Sequence, residues 1–452
     1  MASLPKTEFE VVLKTFLLGD IRSLAKLMAS GFALALCLPF QAHAAAELVL
    51  QLDTSLRSDS NPLRFTEGPV IPPSLGISSP SDTIFSTDIR GAVIYPLDSP
   101  ETRLVLTGQL GRRNYNQLTQ LDNTEYAYRA ALEWRYGTLW KGELFHSQEQ
   151  QLYGYLDGSL TTREMIHRTT DSVELALRAT PEIEIPLILR SRRTRYDSPV
   201  NLIFESTESS ADAGIRLKTG TNSTARVGAR TTSVSYPQRT AAQIALLDSR
   251  YQDNELYLES DWQYSVFTRL SGRVAALKRS YDSLEGKSFS ALTTELRVLY
   301  DYSSLTRLTL ELWNRPYGTT DRTTLYTIAT GVQAAVRWQA TPKTRFTAQA
   351  TNELQRYQSI ALQPGQSNPE LNRVRLGGGF VYAVTKDVSM YVDGFREHLN
   401  RGNLGPNIVQ NTLRAGLEYT FENTTGVAQR TGLGERRQAP LATPVSTPFN
   451  PP

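Results

Sequence analysis

Cysteine is nearly absent from this sequence. Cys37 is the one cysteine in 452 residues, and it lies in a segment that reads as a secretory leader. The exported chain would then hold no disulfide, so something other than cross-links must keep it folded outside the cytoplasm. Long apolar runs are absent too, and the mean hydropathy is −0.34. That excludes a helical membrane protein, which needs continuous apolar spans. It does not exclude a transmembrane β-barrel, where only alternate residues of each strand face lipid. Blocks of like charge are missing, and the formal net charge is +3. A chain so near balance gives no reason to expect a nucleic-acid partner.

Histidine is scarce. Past the leader there are His146, His167 and His398. They share no metal-ligand spacing. No nucleophile elbow, phosphate loop or zinc-binding helix motif occurs. The sequence therefore offers no catalytic residue, no metal site and no cofactor, and it reads as a non-enzyme. His146, near the outer end of its segment, is the least implausible base for a barrel hydrolase; a rim or surface histidine is the simpler reading.

What is present begins with that leader. Arg22 and Lys26 precede a short apolar stretch from Leu27 to Phe40, and Ala42-His43-Ala44 follows as a small-residue cleavage site. Residues 1–44 are expected to be removed, with the mature chain starting near Ala45. Leu36 stands where a lipobox needs a small residue, which argues against lipidation at Cys37.

From Glu47 to Phe421 one pattern recurs: apolar and polar residues alternate, then a turn intervenes. Val173–Arg178, Leu305–Leu312 and Leu413–Phe421 show it clearly. A period of two means a strand with two different faces. Eighteen such segments predict an all-β fold, a transmembrane antiparallel up-and-down barrel over residues 45–421. Connections after even-numbered segments are very short, such as Gly137, Thr180-Pro181 and Thr219-Gly220. Those after odd-numbered segments are mostly longer, such as 58–81 and 237–250. Short periplasmic turns opposite longer outer loops are the asymmetry of outer-membrane barrels. An even strand number puts both termini on the periplasmic side.

The last segment carries a further signal. Arg414, Gly416, Tyr419 and Phe421 form a polar-x-Gly-x-x-aromatic-x-aromatic pattern that resembles the terminal-strand signal read by the barrel assembly machinery. Residues 422–452 continue past it and are rich in proline, which predicts a disordered periplasmic tail.

Alternation also assigns the arginines. A lipid-facing arginine at the bilayer midplane costs roughly 2–4 kcal/mol, so the charged face should be the interior. Expected lumenal residues are Arg113, Arg129, Arg190, Arg192, Arg216, Arg226, Arg230, Arg269, Arg273, Arg297, Arg307, Arg337, Arg345, Arg373 and Arg375. Glu133, Glu174, Glu184, Glu259, Asp261, Glu295, Glu311 and Glu418 are interspersed among them. Such a lumen reads either as an Arg–carboxylate ladder that stiffens the wall or as a mildly cationic channel that attracts anionic solutes. Whether the loop over 58–81 folds in as a constriction is not legible in the sequence.

Short motifs add a family resemblance. Asp53–Phe65 follows the first strand, and Gly111–Tyr115, Leu121–Tyr126 and Leu132-Glu133-Trp134 mark the second hairpin. These resemble segments of the porin-2-like outer-membrane barrels encoded with exopolysaccharide and capsule genes. The resemblance implies a barrel taking part in export or surface assembly of an exopolysaccharide, with periplasmic export proteins as partners beside the membrane lipid and the assembly machinery. It carries no catalytic residues. A general or solute-specific diffusion porin is the alternative, and an outer-membrane hydrolase a remote third.

Overall fold

The computed structural model describes residues 46–431, apart from 69–70, 100, 154–161, 222, 318–323, 360–367, 403–404, 425, 427, 429 and 430. The proposed leader, with Ala42 and Ala44, lies outside the described residues, as does the tail beyond 431.

The alternating segments form one 18-stranded antiparallel sheet. Its strands are β1 (Glu47–Asp59), β2 (Asp82–Ser99), β3 (Thr102–Tyr115), β4 (Asn123–Tyr136), β5 (Trp140–Leu152) and β6 (Met165–Arg178). They continue as β7 (Ile183–Tyr196), β8 (Ser206–Lys218), β9 (Thr224–Ser235), β10 (Arg250–Gln263), β11 (Thr268–Tyr281) and β12 (Phe289–Ser303). The last six are β13 (Thr306–Tyr317), β14 (Thr324–Thr341), β15 (Thr344–Ser359), β16 (Glu370–Ala383), β17 (Val388–Asn400) and β18 (Ile408–Glu422). Each strand pairs with its neighbours in sequence, and β1 pairs with β18 from Val49–Glu422 to Asp59–Thr412. The sheet therefore closes, and no edge is left to be satisfied by lipid or water.

Asn423 fastens the seam. Its backbone N–H donates to the Leu48 carbonyl at 3.1 Å. Its side chain accepts from the Leu48 N–H and donates to the Ala46 carbonyl, both at 2.7 Å. Tracing paired residues once around the ring from Leu52 returns to β1 about 22 positions away. A stagger of that size over 18 strands tilts them by roughly 40° and sets a backbone diameter of about 35 Å.

Register separates the two faces. Outward positions on β7 are Ile185, Leu187 and Leu189; on β8 Ile215 and Leu217; on β10 Leu256, Leu258 and Trp262. Leu256 is 64% exposed and Val227 56%, values that only an apolar surrounding tolerates across a whole surface. The turn end of this band is aromatic. Trp338, Phe346 and Phe380 form a run with ring centroids 5.5 and 5.2 Å apart, and Trp262 meets Tyr264 edge-on at 5.4 Å. Tyr419 and Phe421 join this girdle from β18. An apolar belt with an interfacial aromatic rim, short turns on one side and longer loops on the other, is the surface of an outer-membrane barrel. Toward the loops the outward face turns polar on β6, β7, β10 and β17, through Thr169, Arg193, Asn254 and Arg396. The strands thus outrun the apolar band at that end.

Placing arginine at the centre of the belt tests this orientation. Leu258→Arg should lower unfolding stability in bilayers by about 2–4 kcal/mol, and Thr309→Arg on the lumenal face should cost clearly less. Equilibrium urea titration of vesicle-folded protein measures both; equal losses would contradict the assigned faces.

Candidate functional site

With the outer face apolar, the chain's chemistry is concentrated in the lumen and at its loop-bearing rim. The register places Arg113, Arg129, Arg190, Arg192, Arg216, Arg226, Arg230, Arg269, Arg273, Arg297, Arg307, Arg337, Arg345, Arg373 and Arg375 on the inward face. Many meet carboxylates across the ladder. Arg113 reaches Asp88 at 2.9 Å and Glu125 at 3.3 Å. Arg129 meets Glu143 at 2.5 Å, Arg192 meets Glu208 at 2.5 Å, and Arg297 meets Glu311 at 2.5 Å. Arg269 pairs bidentately with Asp261 and Arg307 with Asp301. Arg273 pairs with Glu255. At the turn end, buried Glu184 takes Lys141 at 3.0 Å, Arg216 at 3.5 Å and Lys218. Alternation forces these groups inward, and mutual pairing offsets their desolvation.

Some of the most crowded contacts come from residues that sequence reading did not single out. Tyr257 is 2% exposed; its hydroxyl donates to Asp212 at 2.6 Å, and Asp212 also binds Arg226 at 2.5 Å and Arg230 at 2.8 Å. The guanidinium groups of Arg226, Arg230 and Arg273 lie 5.4, 5.8 and 4.5 Å from the Tyr257 ring centre, which supplies a π face to cations in excess of carboxylates. No motif marks Tyr257; only its even-odd position relative to arginine-bearing neighbours could have pointed to it.

The start of the first long connection, at Leu63–Phe65, turns into the barrel. Leu63 and Phe65 pack with lumenal Ile84 and Tyr115 and with Leu118 and Leu121 of the next loop. Arg64, at φ 58°, projects to Glu397 on β17 at 2.6 Å. Glu397 also holds Arg373 at 2.6 Å and stands opposite Arg375, which stacks on Phe395 at 3.7 Å. Three guanidinium groups thus surround one buried carboxylate. Burial lowers the Arg64 side chain below the ordinary arginine value, and the Glu397 charge opposes that shift. The loop thus brings Arg64 to the lumenal wall beside Arg373 and Arg375.

Carboxylates at the ends of long connections knit the outer rim together. Asp82 accepts the backbone N–H groups of Asn116, Gln117 and Leu118 at 3.1, 3.0 and 2.8 Å. Glu164 accepts that of Ser198 at 3.0 Å. Asp248 follows α1 (Ala241–Leu247) and binds the N–H groups of Ser283 and Leu284 at 2.6 and 3.0 Å, besides that of Ser249 at 2.6 Å. Each ties its own loop to the next one around the ring.

The histidines lie elsewhere. All three point outward, His146 at mid-strand on β5 rather than near its outer end, and His167 and His398 near the loop ends of β6 and β17. His146 joins Asp171 at 2.7 Å and the Tyr128 hydroxyl at 3.2 Å, facing away from the lumen. Among the described residues no cluster could hold a metal ion. On β18, Arg414 and Gly416 are lumenal and Tyr419 and Phe421 outward, so the terminal pattern spans both faces.

No family model matches the chain. No curated protein matches it either. Solved structures of similar architecture include OccK2 (OpdF) of Pseudomonas aeruginosa in complex with glucuronate, at 10% identity and TM-score 0.48, covering 84% of this chain and 98% of that one. OccAB3 of Acinetobacter baumannii aligns at 10% identity and TM-score 0.47, over 84% of this chain and 100% of its own. The siderophore receptor PirA of Pseudomonas aeruginosa aligns at 8% identity and TM-score 0.41, over 82% and 80%. At these levels no function transfers from the neighbours. Nothing in the comparisons supports a link to exopolysaccharide.

The rim carboxylates make a checkable claim. Removing one with Asp248→Ala leaves the Ser283 and Leu284 N–H groups without their acceptor, a local loss of about 1–3 kcal/mol. Hydrogen exchange at these two amides should speed up by one to two orders of magnitude, with strand amides unchanged. Unchanged protection there would show that the carboxylate does not hold the loop.

Proposed function

We propose that the protein is an outer-membrane diffusion channel for small polar solutes, with a preference for anions. The observation that carries this reading is the cluster where the inward loop meets the wall: Arg64, Arg373 and Arg375 around Glu397. Glu397 bridges Arg64 and Arg373, Asp59 also acts on Arg64 and Glu353 stands opposite Arg373, which leaves Arg375 as the guanidinium with no ion pair among the described residues. That unpaired positive charge raises the local concentration of anions and repels cations.

Three features support a conducting lumen. The bore of an 18-stranded barrel leaves space beyond its own side chains. Part of the wall on β14–β16 is low in profile, with Ala335, Thr347, Gly377 and Gly379 facing inward, whereas Gly331 lies beneath the Trp313 indole. The lumenal charges are held in pairs along the walls, as in the Arg129–Glu143 and Arg297–Glu311 bridges, which leaves the axis to water. A loop folded into the passage fits small solutes better than an extended polymer chain. The export reading finds no corresponding feature in this geometry.

Planar-bilayer recording tests the proposal. The purified protein should give steady ohmic steps, and a salt gradient should produce a reversal potential of the sign for anion preference. Arg64→Ala combined with Arg375→Ala should move that potential toward zero by a few-fold in permeability ratio. A barrel that does not conduct, or one that prefers cations before and after the substitutions, would overturn it.

A further inference from the structure

One part of the lumenal wall departs from the rest. At the turn end of β1–β5 two adjoining rows of inward residues are apolar, bordered by inward Glu47, Glu133 and Glu143. Ile94 pairs with Val105, Val105 with Ala131, and Ala131 with Phe145, so one row crosses four strands. Val49 and Ala92, paired with each other, form the adjoining row. A water-filled channel has a polar lining, and a continuous apolar patch inside one needs a cover. This patch is covered: Val49 is fully buried and Ala92 and Ala131 are 1% exposed.

We propose that this patch is the seat of the chain's own C-terminal segment, which runs on from β18 through Ala428, docks inside the periplasmic mouth and narrows it. Ala428 is 5% exposed and belongs to the same apolar cluster as Val49, Ala92, Ile94, Val105 and Ala131. Because those residues are lumenal, Ala428 is inside the barrel. The path is short: β18 ends at Glu422, which pairs with Val49 at the edge of the patch. Six residues span at most about 20 Å, enough to cross β1 and β2. Asn423 anchors the start on Leu48 and Ala46. The Gly426 N–H donates to the Glu422 carboxylate at 2.8 Å, and the Thr431 hydroxyl donates to the Ala428 carbonyl at 3.4 Å, which keeps the segment close to the strand end.

Two measurements separate docking from its effect on flow. Ala428→Cys is combined in turn with Ala92→Cys, Val105→Cys or Ala131→Cys in the mature, cysteine-free chain. Mild oxidation should form a disulfide in at least one pair and none with Thr309→Cys on another part of the wall. Absence of every disulfide, or equal yield with the control, overturns the docking. Ending the chain after Thr424, or replacing Ala428 by Arg, should raise unit conductance above that of the full chain. Cross-linking with unchanged conductance overturns the narrowing. The disulfide readout does not depend on conduction, so a non-conducting barrel would sink the channel reading and leave docking tested on its own.

Discussion

Everything in this protein depends on the β1–β18 pairing. Inside a bilayer no water is available to satisfy a free strand edge, and each unpaired backbone group there costs several kcal/mol. An open sheet of this size could not stay in the membrane. The seam therefore runs the length of β1, from Val49–Glu422 to Asp59–Thr412, and Asn423 extends it by binding both Leu48 and Ala46. With no disulfide available, closure substitutes for cross-linking, because a ring of ladders has no end from which to fray.

Closure sets the fate of the charges. Once the apolar belt belongs to lipid, every other residue across it must face a shared interior, and an arginine at that level has nowhere else to go, whereas Arg193 and Arg396 stand outward only toward the loops. The pairing of lumenal arginines with Asp and Glu reconciles the two readings of the lumen, since a wall that neutralises itself in most places can still carry surplus charge at a few. Crowding arises in two ways. Arg64 arrives from a loop, outside the ladder, to join Arg373 on Glu397 beside Arg375, while within the ladder Tyr257 accommodates three arginines beside Asp212. The rim carboxylates Asp82, Glu164 and Asp248 act on a different problem. Loop backbone has no ladder to satisfy it, and these side chains supply acceptors that hold one loop against the next.

The eighteen strands were legible because barrel strands obey a rule that a single sequence displays. Lipid on one side and a polar lumen on the other impose a period of two, and turn length marks the two ends. The inward direction of Arg129 or Arg373 follows from the same rule. The inward fold at Leu63–Phe65 did not follow, because Leu63 and Phe65 have no period to obey and their partners, Ile84 and Leu118, are brought near only by the closed ring. The apolar row Ile94–Val105–Ala131–Phe145 was hidden for a related reason: each residue is unremarkable in its own strand, and the patch exists only across four of them.

The sequence by itself determined the barrel and its strand number, since these depend on local alternation against two solvents. The tertiary structure alone decided which carboxylate each arginine meets, how far the first loop reaches, and where Ala428 rests. Those contacts join residues up to hundreds of positions apart, and their distances are fixed by the stagger of the closed sheet, which no local pattern encodes.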